Sequence, residues 1–173
     1  MTKTIRIGAA GIAMFAALGM GSAASAQTVQ SADAFAEVLE PLTLAVTGSL
    51  DFGAIVVNGA GTITLDTVGT ITPANCGGGN VCTGTTSAPE YTVVGTAGKD
   101  VSITLPSGNI DLVLQTDPTE TMTLNNFVSS AGGTVGLNAS GNGTFTVGGD
   151  LIVGATQDAG IYEGSFDVSV DYS

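Results

Sequence analysis

Apolar and polar residues alternate along most of this chain in short runs, and the clearest run is GIYEGSFDVSVDYS, from Gly160 to Ser173. Tyr162, Gly164, Phe166, Val168, Val170 and Tyr172 fall on one side; Glu163, Ser165, Asp167, Ser169 and Asp171 fall on the other. That is the period of an extended strand, whose successive side chains point to opposite faces of a sheet. The pattern predicts a strand over Ile161–Tyr172 with one apolar and one acidic or hydroxylated face. Termini fray unless tied down, so this strand should dock into a larger sheet.

The same signal recurs upstream. Strands are expected near Leu42–Thr47, Leu50–Val57, Thr62–Leu65, Thr70–Thr72, Tyr91–Val94, Val101–Leu105, Ile110–Gln115, Met122–Phe127, Thr134–Leu137, Thr144–Val147 and Leu151–Val153. Gly, Asn, Asp and Pro punctuate these runs. Many short strands with turn signals between them predict an all-β, antiparallel β-sandwich or barrel. No long helical pattern competes, and no repeat of fixed period points to a solenoid.

The segment before Pro41 reads two ways. SADAFAEVLE puts Ala32, Phe35, Ala36 and Leu39 on one helical face with Ser31 as N-cap, and local propensity leans to this short helix. As a strand, it puts Ala32, Ala34, Ala36 and Val38 on one face and Asp33, Phe35, Glu37 and Leu39 on the other. Pro41 ends either element. The segment belongs to no obvious hairpin, so it is a leader, a capping helix, or a strand for another molecule's sheet.

The first residues are of another kind. Lys3 and Arg6, the apolar run from Ile7 to Met20 and the small residues Ala24-Ser25-Ala26 form the pattern of a secretory signal peptide over residues 1–26, too short for a membrane anchor. Its removal leaves residues 27–173, enough for one domain with a core. The expected route is Sec export to the periplasm, then the cell surface or beyond, with no membrane insertion after cleavage. Two of the three basic residues go with the leader, so Lys99 stands against all 15 carboxylates. Such a field repels nucleic acid and anionic membranes and keeps a secreted chain soluble.

Export also bears on Cys76 and Cys82, which enclose GGGNV. In an oxidising compartment a local disulfide across this loop is expected, and the spacing has no partner His or second Cys pair for a metal or redox role. Catalysis finds little support. The chain has no His, and its Gly-rich stretches match neither the dinucleotide nor the P-loop spacing. Asp111 with Glu120 is a conceivable glycosidase pair, and Asp111, Asp117 and Glu120 lie near a turn, but no D-x-D-x-D-G calcium loop exists. These acids read as solvated surface groups. The expectation is a non-enzymatic protein without cofactor or metal.

Several blocks carry a resemblance. PLTLAVTGSLDFGAIV (Pro41 to Val56), SITLPS (Ser102 to Ser107), MTLNNF (Met122 to Phe127) and GTFTVGGDLIVGATQDAGIYEGSFDVSVDY (Gly143 to Tyr172) together resemble the DUF4402 family of secreted bacterial β proteins. The closing block is also similar to the end of chaperone–usher pilin subunits and of spore coat protein U domains. Those pilins carry a Gly fourteen residues from the C-terminus and a penultimate aromatic, the places of Gly160 and Tyr172 here.

The resemblance implies an immunoglobulin-like, pilin-like sandwich over residues 42–173 that lacks its final strand. In such assemblies the N-terminal extension of the next subunit fills the gap, a form of β-augmentation. Gly160, Tyr162, Phe166, Val168, Val170 and Tyr172 would then face a periplasmic chaperone or another copy. Residues 27–41 would be the extension, donating Ala32, Ala34, Ala36 and Val38. The implied partners are other copies of the chain, a periplasmic chaperone and an outer-membrane usher. The function expected is a structural subunit of a fimbria-like surface fibre. Its rivals are a self-complete surface or coat protein and an adhesin or carbohydrate-binding module using the Cys76–Cys82 loop.

Overall fold

In GTITL, Ile63 and Leu65 are fully buried while Thr62 between the preceding Gly and Ile63 is exposed, and the run forms a strand, Gly61–Leu65. The same alternation builds the rest of the chain in the computed structural model, which describes residues 28–173. The secretory leader expected over residues 1–26 lies outside the described residues. Twelve strands follow in order: β1 (Thr43–Thr47), β2 (Ala54–Val56), β3 (Gly61–Leu65), β4 (Val81–Thr83), β5 (Glu90–Val94), β6 (Asp100–Thr104), β7 (Ile110–Leu114), β8 (Asp117–Ser129), β9 (Thr134–Gly136), β10 (Asn142–Val153), β11 (Tyr162–Glu163) and β12 (Ser169–Tyr172). The only helical element among the described residues is a single 3-10 turn, Pro73–Asn75.

All pairings are antiparallel. The large sheet runs β1-β5-β10-β8-β7-β11, with β3 also pairing β10. A second sheet runs β12-β6-β9, and β2 pairs β4 in a small ribbon. Residues 37–173 thus form an all-β antiparallel sandwich, as the alternation predicts.

Individual elements differ from the sequence reading in instructive ways. Thr144–Val147 and Leu151–Val153 are two parts of one strand, β10, whose first half pairs β5 and whose second half pairs β3. The Gly148-Gly149 pair between them lies at a register shift against β8 rather than at a turn. Thr70–Thr72 is no strand, because the Asp66 carboxylate accepts hydrogen bonds from the Val68 and Thr70 amides and folds the stretch into a turn. Leu50–Val57 shrinks to β2. Gly53 there has φ +69°, and a Cβ on it would lie 2.6 Å from the Thr83 carbonyl oxygen. Strand β4, which carries Cys82 of the disulfide loop, is not among the expected strands.

The helix favoured over Ser31 to Leu39 does not form. Residues 28–42 are neither helix nor strand, and Phe35 and Val38 are more than 90% exposed. So short a helix is marginal in water, and one whose apolar face covers nothing gains nothing to offset its nucleation.

The core of the sandwich comes in two parts. One gathers Phe52, Ile63, Leu65, Met122, Leu124, Leu151 and Val153. The other gathers Tyr91, Val93, Val101, Val135, Leu137, Phe145 and Val147, with the Tyr91 and Phe145 rings stacked 5.1 Å apart. Phe127 and Phe166 pack against both, their ring centroids 4.7 Å apart.

Candidate assembly groove

The strand expected over Ile161–Tyr172 is interrupted. Tyr162 and Glu163 pair with β7 in the large sheet, Ser169–Tyr172 pair with β6 in the second sheet, and residues 164–168 pair with no strand among the described residues. The break follows from the crossing between sheets: one stretch cannot follow both ladders. Yet the alternation survives it. Phe166, Val168, Val170 and Tyr172 are half-buried against the second core, while Ser165, Asp167, Ser169 and Asp171 are exposed. Gly164 makes the crossing possible, since a Cβ there would lie 2.7 Å from Leu112 Cδ2 and 2.9 Å from the Asp111 carbonyl oxygen.

Facing this unpaired stretch is a second one. Among the described residues β1 pairs only β5, which leaves its other edge open, and the chain from Gly48 to Gly53 makes a single bridge, Asp51 with Ser87. Between these walls lie two adjoining hollows. The narrower, about 200 Å³, is lined by Val46, Leu50, Phe52, Tyr91, Ser165 and Phe166 among others. The wider, about 680 Å³, runs on between residues 50–57 and 157–162, over Leu112, Met122 and Leu151. Leu50, Phe52 and Leu112 line both. The groove therefore has apolar side chains for its floor and walls and open backbone at its sides, a combination that suits an added strand.

Electrostatics at the groove are modest. Burial pushes the Tyr91 phenol above its usual pKa, and the Asp167 carboxylate nearby pushes it further the same way.

At the opposite end of β1 the N-terminal segment is tied down. The Glu40 amide donates to Thr96 Oγ1 at 2.7 Å, and Tyr172 Oη accepts from the Thr96 amide and donates to the Glu40 carbonyl, each at 2.7 Å. Lys99 Nζ lies 2.7 Å from the Glu37 carboxylate, both on the surface.

The sequence-derived site residues distribute around this frame. Tyr162 sits in β11, its hydroxyl donating to the Asp158 carbonyl and accepting from Gln157 Nε2. Gly160 lies directly against the Leu114 side chain. Ala32, Ala34, Ala36 and Val38 are exposed on irregular chain. Cys76 and Cys82 form the expected disulfide, with Cα atoms 6.0 Å apart. Asn80 inside that loop is buried, and its Oδ1 accepts from the Asn58 and Gly59 amides, fixing the loop to the turn before β3.

The acids considered for chemistry do not converge. Asp111 pairs in register with Thr123, three positions from Glu120. The Asp117 carboxylate accepts from the Thr119 amide and hydroxyl, which hold it below its usual pKa. Among the described residues, no group of three or more metal-ligating side chains forms, and no helix is long and apolar enough to cross a membrane.

Sequence reasoning missed the groove lining, above all Leu112, Met122 and Tyr91. The available signal was the LDFG block, Leu50 to Gly53, whose Leu50 and Phe52 line both hollows.

No curated protein and no solved structure matches the chain. The family model described as a domain of unknown function, DUF4402, matches residues 42–172, the span from the residue before β1 to the end of β12, and the chain belongs to that family.

Proposed function

We propose that this protein is a non-enzymatic structural subunit of a bacterial surface fibre, exported by its leader and assembled by strand donation between copies. The observation that carries the reading is the unpaired stretch at residues 164–168, lying beside an apolar groove and facing the open edge of β1. Backbone amides and carbonyls at such edges are templates for another strand. A donated segment would pair there, fill both hollows and join the two halves of the core. The exposed segment ahead of Glu37 is a donor of suitable length, about 3.3 Å per residue when extended. The pilin resemblance of the closing block supports the same reading, and with it a chaperone that holds the groove before assembly and an usher that passes the subunit on.

Deleting residues 27–36 from the exported chain tests this. The reading expects a folded domain that no longer forms multimers at the surface. Multimers of unchanged size and amount after the deletion would end the donor role.

A self-complete surface or coat protein is the second reading. It is favoured by the closure of both cores without a donor, since Ile63, Leu65, Val93, Val101 and Val147 are wholly buried already. It expects a stable monomer that needs no chaperone.

A further inference from the structure

We infer, on the strand-donation reading above, that the segment entering the groove is residues 28–36 of a second copy, and that Phe35 of that copy anchors it in the wider hollow. The span follows from the ties at its root. Glu37 and Glu40 are both held to their own domain, by Lys99, Thr96 and Tyr172, so Val38 between them stays at home. That leaves residues 28–36 to donate.

The face follows from volume. In an extended segment, Ala34 and Phe35 point to opposite sides, so only one of the two faces enters the groove. The wider hollow measures about 680 Å³ over Leu112, Met122 and Leu151. Three alanine methyls would leave most of it empty, and protein interiors are packed without such voids. Phe35 is the bulkiest side chain of the segment and is 94% exposed in the free subunit. Its ring brings the apolar surface the hollow can cover. Asp33, two residues away on the same face, then comes to the narrower hollow, where Ser49, Ser165 and Tyr91 carry hydroxyl groups able to donate to it.

The test is cysteine pairing between two populations of the mature chain mixed before assembly. One carries Ser165→Cys in the wall of the narrower hollow; the other keeps Phe35 and carries Asp33→Cys or, in parallel, Ala34→Cys. The expected result is an intermolecular disulfide for Asp33→Cys at least about tenfold above Ala34→Cys, from the opposed directions of adjacent side chains. Preferential pairing of Ala34→Cys would overturn the anchor while leaving strand donation standing. Absence of pairing at both positions, with no multimers in either mixture, would remove both proposals. A disulfide formed within one chain carrying Asp33→Cys and Ser165→Cys together would assign the groove to the chain's own segment and overturn the second copy. As a check independent of thiols, Phe35→Ala should weaken assembly by more than about a hundredfold, from the loss of a buried aromatic ring. Phe35→Leu should recover part of it. Because Phe35 is exposed in the subunit, neither substitution should move the subunit's own melting temperature.

Discussion

The hydroxyl of Tyr172 donates a hydrogen bond to the carbonyl of Glu40 at 2.7 Å, joining residues 132 positions apart. Through the same oxygen, which accepts from the Thr96 amide, the end of the last strand holds the entry to the first strand and the turn after β5. Tyr172→Phe keeps the ring against the second core and removes both bonds. The Thr96 amide is partly buried, so its loss of a partner should cost about 1 to 2 kcal/mol. Urea unfolding should show the midpoint falling with an unchanged slope, and amide exchange should quicken at Thr96, whose amide loses its acceptor. Unchanged exchange there would mean the contact holds nothing.

Phe166 touches both cores and the Phe127 ring, yet it is only half-buried and lines the groove. Phe166→Ala should destabilise the isolated domain by about 2 kcal/mol, below the range for a fully buried ring. In an assembled form the loss should be larger, since a donated strand would cover the remaining surface. Equal losses in the two forms would argue that nothing is added over Phe166.

Tyr91 makes alkaline pH a probe of the same region. Its pKa is raised from 10.0 by burial first and by Asp167 second. The folded state holds the phenol proton more tightly than the unfolded chain does. The stability this gives is complete below pH 10 and is lost as pH rises from there through the folded value. Tyr91→Phe should remove that part of the alkaline loss, and Asp167→Asn should lower the pH at which tyrosinate absorbance appears. Identical alkaline unfolding curves for wild type and Tyr91→Phe would contradict this.

The Cys76–Cys82 bond closes a short loop that Asn80 ties to the turn before β3. From the loop-closure relation, replacing both cysteines by serine should cost about 2 kcal/mol. Cys82 pairs with Ile55 through β4 and β2 but lines neither hollow, so assembly should survive the change under conditions where the domain stays folded. Loss of assembly by a folded double variant would place this loop at the subunit contact.

Much of the fold was legible because alternation is a local property. Tyr91–Val94, Ile110–Leu114 and Thr62–Leu65 are each half-buried strands whose pattern alone locates them, and the spacing of Cys76 and Cys82 sufficed for their pairing. What stayed hidden depended on neighbours. Gly148-Gly149 reads as a turn, but inside β10 it lies between β3 and β8, where the register shifts. Thr70–Thr72 has strand propensity that the Asp66 side chain overrides. The closing run has one unbroken alternation, and nothing in its residues says that its two ends pair in different sheets. The groove is still less visible from sequence, because it depends on which strand edges of β1 and residues 164–168 stay unpaired among the described residues.

The most direct measurement of the central claim is the mature protein recovered from its native cell surface, run on a denaturing gel unheated and boiled. Strand donation between copies predicts a ladder in the unheated lane that collapses to one band on boiling, since subunits joined by buried strands separate only when the sandwich unfolds. A single monomer band in both lanes would contradict it and leave the self-complete sandwich.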